Sequence, residues 1–124
     1  MIFDTDVLIW CEKKNNKAAD LINAAEDRYV SVQTYMEFLQ GAGSREEMRL
    51  VKDFFSQMEF IILPLTENIG HRASIYIETH APEGLRSGDA IIAATAVENN
   101  MTLVTGNHKH FKPLKELKLK VFNS

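Results

Sequence analysis

Short apolar runs of strand length alternate along this chain with stretches whose apolar residues recur at helical spacing, and that alternation leaves few folds open. Met1–Thr5, Tyr29–Val32, Phe60–Leu63, Thr102–Thr105 and Leu119–Phe122 read as strands. Helical patterns follow the first strand through Trp10 and recur over Lys17–Ile22, Thr34–Leu39, Ile69–Ile77 and Ala90–Val97. Ser44, with Glu47 three residues on, opens a further helix, in which Met48, Val51, Phe55 and Met58 form one apolar stripe. Asp53 falls off that stripe and reads as a solvated charge. His80 to Gly88, with Pro82 and Gly84, reads as a loop. Strands separated by helices run parallel and need cover on both faces, so the expected class is α/β with a mostly parallel central sheet.

A length of 124 residues allows one domain, 1–124, with a real core. No apolar run reaches the ~20 residues of a membrane span. An acid at position 4 does not fit a signal peptide, and the single Cys11 excludes an internal disulfide. These features fit a reducing cytoplasm and no membrane partner. A net charge of −3 argues against wrapping nucleic acid with the whole surface. The charge is uneven, however: Lys109, Lys112, Lys115, Lys118 and Lys120 stand against the single acid Glu116. Any nucleic-acid contact there is local.

Chemistry concentrates in a few acids. Asp4 and Asp6 follow the first strand, and on extended backbone they would point the same way. Two carboxylates about 5 Å apart repel by roughly 3 kcal/mol at an effective dielectric near 20. A shifted pKa, a basic partner or a bound cation offsets that cost. A plain alternative is that Asp6 caps the next helix while Asp4 faces water. Asp89 precedes an almost wholly apolar helix, where a lone buried charge needs a partner, although the helix dipole also favours an acid there. Glu37 closes a Thr34-x-x-Glu37 pattern that a simple capping box explains. Thr105-Gly106-Asn107 ends the fourth strand, where a hydroxyl and an amide oxygen could hold water, or where a turn alone is required. His108 and His110 lack a third partner for zinc. In parallel sheets ligands bind at the carboxyl ends of strands, which is where Asp4, Asp6, Thr105 and Asn107 fall.

In combination, Ile2–Ile9, Tyr35–Phe38, Ser87–Ala96 and Leu103–Phe111 resemble, in order and spacing, the PIN-domain ribonuclease family, in particular its VapC-type toxins. The resemblance implies a three-layer α/β/α sandwich and a magnesium-dependent endoribonuclease, with Mn2+ as a possible substitute. Asp4, Glu37 and Asp89 match the family's metal-site acids, with Asp6 supporting. Thr105 and Asn107 would position water or phosphate. Arg86, Lys109 and Lys112 are candidates for the RNA backbone. A homodimer inhibited by a small antitoxin is implied as well. The family commonly places a further acid near Asn107, whereas this chain has Asn107 and His110, which favours one well-held ion over two.

Three other readings stay open. A PIN-like module that only binds is compatible with the missing acid. A haloacid-dehalogenase-type phosphatase also begins Asp-x-Asp, but expects Thr or Val where Leu8 stands and a late second acid where Ala93 stands. A receiver-like domain fits the length, the early acids and Lys109, but needs its phosphoacceptor at a strand end, and Asp53 lies in a helical stretch.

Overall fold

The computed structural model describes all 124 residues. Five strands, β1 (Ile2–Phe3), β2 (Arg28–Ser31), β3 (Phe60–Leu63), β4 (Leu103–Thr105) and β5 (Leu119–Val121), form one sheet in the order β3-β2-β1-β4-β5. Every pairing is parallel, with Ile2 opposite both Tyr29 and Leu103. The seven α-helices are α1 (Thr5–Glu12), α2 (Asn16–Ala24), α3 (Val32–Gly41), α4 (Arg45–Gln57), α5 (Glu67–His80), α6 (Ser87–Glu98) and α7 (His108–Phe111).

Strand alternation sorts the core into two halves. Ile2 and Leu103 pack with Ile69, Tyr76, Ile92 and Phe111 on the face covered by α5, α6 and α7. Phe3, Val30 and Val104 pack with Val7, Leu8, Ile22 and Phe55 on the face covered by α1, α2 and α4. The fold is therefore a three-layer α/β/α sandwich with a fully parallel sheet. On the second face Phe55 is enclosed edge-on by Tyr35, Phe38 and Phe54, with ring centroids 5.1, 5.6 and 5.5 Å away. Such edge-to-face pairs add about 0.5–1.5 kcal/mol each beyond burial.

α6 is the buried helix that the apolar octet predicts. Ala90 and Ile92 to Ala96 are buried, and its small residues let it pack along α5 and reach α3 and β2. It begins at Ser87, ahead of the expected start, so Asp89 stands in its first turn. The expected long loop before it shortens to a 3-10 turn, Ala81–Glu83, and the residues up to Arg86. Across the outer side of α5, Arg72 reaches Glu98 at 2.5 Å and Glu116 at 2.6 Å, and the Tyr76 hydroxyl also donates to Glu116. These contacts fasten the segment before β5 onto α5 and α6.

β1 is shorter than expected. The Asp4 carboxylate accepts from the Thr5 N–H at 2.8 Å, so Asp4 is the N-cap and α1 starts at once. Asp4 and Asp6 thus share no strand face. They are a cap and a first-turn residue of one helix. β2 likewise stops early, because Ser31 caps α3 through the Gln33 N–H at 2.9 Å. In α4 the stripe is narrower than its periodicity implies, since Met48 is exposed and Phe55 is the buried member. Asp53 is exposed, as its position off the stripe requires. No helix is long and apolar enough to cross a membrane.

Candidate active site

β1 to β3 step outward on one side of β1, and β4 and β5 lie on the other. A crevice at the carboxyl ends of the strands is expected where the order reverses, here between β1 and β4. Asp4 follows β1 and Thr105 ends β4, so both stand at that reversal. The Thr105 hydroxyl donates to Asp4 Oδ2 at 2.7 Å and itself accepts from the Asn107 N–H at 3.0 Å. Asp4 is only 6% exposed and Thr105 fully buried. The Thr105 hydroxyl is therefore committed to orienting Asp4, and water or phosphate is left to the exposed Asn107 side chain.

Asp6 accepts from the Gly106 N–H at 2.9 Å through Oδ2. Its other oxygen, Oδ1, is buried and has no hydrogen-bond partner. Gly106 is needed for this approach: a Cβ there would lie 2.9 Å from Asp6 Oδ2 and 3.3 Å from the Phe122 backbone oxygen. Gly106→Ala is expected to cost about 1–3 kcal/mol by overpacking and to displace the Asp6 carboxylate. Thermal melting checks this, and an unchanged melting temperature would mean that Asp6 is not held by the Gly106 N–H.

Glu37 does not complete a capping box with Thr34. Ser31 has taken that cap, and Thr34 is buried inside the helix. Glu37 Oε1 instead accepts from the Thr5 hydroxyl at 3.0 Å, beside the Thr34 hydroxyl at 3.1 Å. Thr5 thus holds two acids, Asp4 through its N–H and Glu37 through its hydroxyl. Asp89, with its side chain 24% exposed, lies 3.6 Å from His110 Nδ1, which also meets the Asn107 amide nitrogen at 3.0 Å. Thr5 carries no local signature, and Thr34 and Gly106 read locally only as parts of a cap and a turn, because each acts on a residue distant in sequence. Arg86 is the exposed N-cap residue of α6, and Lys109 and Lys112 are exposed at α7.

The electrostatics show that these acids crowd one another. Burial, the Asp6 charge and, to a lesser extent, the Asp89 charge push Asp4 up to about 7, against the lowering effect of the Thr105 hydrogen bond. Burial raises Asp6 and Glu37 as well, and the Asp89 charge adds to both. Asp89 is the shared neighbour of the other three. No three His, Cys, Asp or Glu side chains are placed to hold one metal ion as they stand. The donor set nevertheless fits a hard divalent cation. It is oxygen-rich and mutually repulsive, it includes the unpartnered Asp6 Oδ1, and Mg2+ needs only one or two carboxylates beside its waters.

The PIN domain family model matches residues 1–117. The chain belongs to the PIN domain family. A relative named Ribonuclease VapC1, from Methanocaldococcus jannaschii, is 30% identical over 125 residues, covering 99% of this chain and 87% of the relative. A toxin-antitoxin complex from Klebsiella pneumoniae is similar with a TM-score of 0.78 at 26% identity, covering 94% of this chain and 93% of that one. DNA-bound VapBC from Salmonella typhimurium has a TM-score of 0.81 at 20% identity, covering 97% and 96%, and so speaks for the fold alone. Among PIN domains this chain is thus of the VapC type.

Proposed function

We propose that this PIN domain is a magnesium-dependent endoribonuclease, the toxin of a toxin–antitoxin pair, acting in the cytoplasm as a homodimer restrained by a small antitoxin. The relative named as a ribonuclease and the structural neighbours described as toxin–antitoxin complexes support the class. The observation that carries the site is the grouping of Asp4, Asp6, Glu37 and Asp89, in which burial raises the first three and the charge of Asp89 adds to each. A divalent ion bound there, Mg2+ or Mn2+, would supply Lewis acidity toward a water and the scissile phosphate.

The chain's own residues do the rest. Asp4 and Asp89 would hold the cation, and the unpartnered Asp6 Oδ1 would join them once the acids draw together around it. Thr105 and the Thr5 N–H keep the Asp4 carboxylate in one orientation. Glu37, steadied by the Thr5 hydroxyl, orients or deprotonates the attacking water. Asn107 contacts water or phosphate at the rim. Arg86, Lys109 and Lys112 neutralise RNA phosphates beside the acids, making binding salt-dependent.

Purified protein incubated with structured RNAs in millimolar Mg2+ is expected to cut internal phosphodiesters, and EDTA is expected to stop it. The acids are not preset as a three-ligand cluster, and that observation favours the second reading, a PIN-like module that binds without cutting. RNA retention on the protein with no metal-dependent cleavage of any substrate would decide for that second reading.

A further inference from the structure

His110 is the one imidazole placed against the acids. It sits on α7, and its Nδ1 lies 3.6 Å from Asp89 Oδ2 and 3.0 Å from Asn107 Nδ2. In the tautomer that lets the Asn107 amide donate, Nδ1 carries a lone pair that accepts from that amide, with Asp89 Oδ2 3.6 Å away, so the lone pair becomes available to a cation when the amide turns. Bonds of about 2.1 Å to an octahedral ion put two neighbouring donors about 3 Å apart, and a small rotation of the 42% exposed imidazole closes the difference. Asn107, if its amide turns, adds an oxygen from the same turn. Imidazole nitrogen discriminates between ions that carboxylates treat alike: it suits Fe2+, Ni2+ and Zn2+ best, binds Mn2+ more weakly than these, and does least for Mg2+.

We propose that His110 donates a nitrogen to a divalent cation shared with Asp89, giving this site a preference for transition ions such as Mn2+ over Mg2+. The inference rests on the proposed metal-dependent reading and goes beyond it by naming a ligand and a selectivity. A simple His110–Asp89 ion pair is the competing account of the same contact.

The test is Mn2+ binding to the full chain, followed by the EPR signal of the free ion, with MgCl2 as competitor. Wild type is expected to bind Mn2+ at least about tenfold more tightly than Mg2+. His110→Ala is expected to lose about tenfold in Mn2+ affinity, with Mg2+ changed less than about twofold. Pulsed EPR of the Mn2+-loaded protein is expected to show 14N coupling that disappears in His110→Ala and persists in His108→Ala. His110→Asp, which replaces nitrogen with oxygen, is expected to bring the two affinities together. Because His110 is exposed, matching melting curves confirm that the variants fold. Mn2+ bound without 14N coupling, or equal loss of both ions in His110→Ala, overturns the nitrogen ligand and leaves an oxygen-only metal site intact. Failure of wild type to bind Mn2+ or Mg2+ overturns the proposal together with the metal-dependent reading, and EDTA-resistant cleavage would mark that case independently.

Discussion

Asp89→Asn is expected to lower RNA cleavage by about 10²–10³-fold or more, the scale of losing one fixed electrostatic group from an active site, while the fold stays intact. The residue stands in the first turn of α6 with its side chain 24% exposed. Asparagine keeps the size and an amide oxygen, and gives up a dipole contribution of about 0.3–1 kcal/mol. That loss is offset within the site, because the Asp89 charge raises Asp4, Asp6 and Glu37 together. Its removal should let those three ionise at lower pH. Single-turnover cleavage with saturating Mg2+, paired with thermal melting, separates the two effects. Wild-type cleavage by Asp89→Asn would remove Asp89 from the metal site. Lost cleavage accompanied by a collapsed melting temperature would make it structural.

How much of this was legible in sequence depends on the distance over which each residue acts. The strands were readable because apolar runs such as Phe60–Leu63 and Thr102–Thr105 need only local pattern, and parallel pairing follows from the helices between them. The end of β1 was not readable. The Asp4 carboxylate turns back onto the N–H of the very next residue, and nothing in an apolar run announces that choice. α7 was invisible for a different reason: it is four residues long with one buried side chain, Phe111, too short to show a period. The acids could be picked out by type and position, but their partners could not. Thr105 reaches Asp4 across 101 residues and Thr5 reaches Glu37 across 32. At Thr34-x-x-Glu37 a sound local pattern lost to a tertiary one, since Ser31 capped α3 first and the Thr5 hydroxyl offered Glu37 a partner from another helix. Asp6 gained most from the structure. From the sequence it was only a supporting acid, and its unpartnered Oδ1 makes it one of the residues that fit a cation.

Asp4→Asn is expected to abolish cleavage and yet stabilise the protein at pH 8 in EDTA. The folded state holds the Asp4 proton to about 7, whereas the unfolded chain releases it near 3.8. Below the lower value both states are protonated and Asp4 costs nothing. As pH rises toward 7 the unfolded chain ionises first, so stability declines by up to about 1.4 kcal/mol per pH unit. Above about 7 the cost is constant, about 2–4 kcal/mol when relaxation of the buried site is allowed for. Asparagine carries no such charge. It keeps an oxygen for the Thr5 N–H and can donate toward the Thr105 oxygen, leaving one hydroxyl hydrogen to find a new partner at about 1 kcal/mol. The net gain of about 1–3 kcal/mol corresponds to several degrees in melting temperature for a chain of this size. Wild type in EDTA should therefore melt lower at pH 8 than at pH 5.5 by a margin that shrinks in Asp4→Asn, with a residual slope from Asp6 and Glu37. Millimolar Mg2+ at pH 8 should raise wild type and leave the variant nearly unmoved, because a cation and a neutralised carboxylate relieve the same repulsion. A variant that melts below wild type at pH 8 in EDTA would show that Asp4 stores no repulsion. The opposite signs of the two effects would locate the reason for the charge: a buried carboxylate that weakens the fold on its own is retained for what it holds.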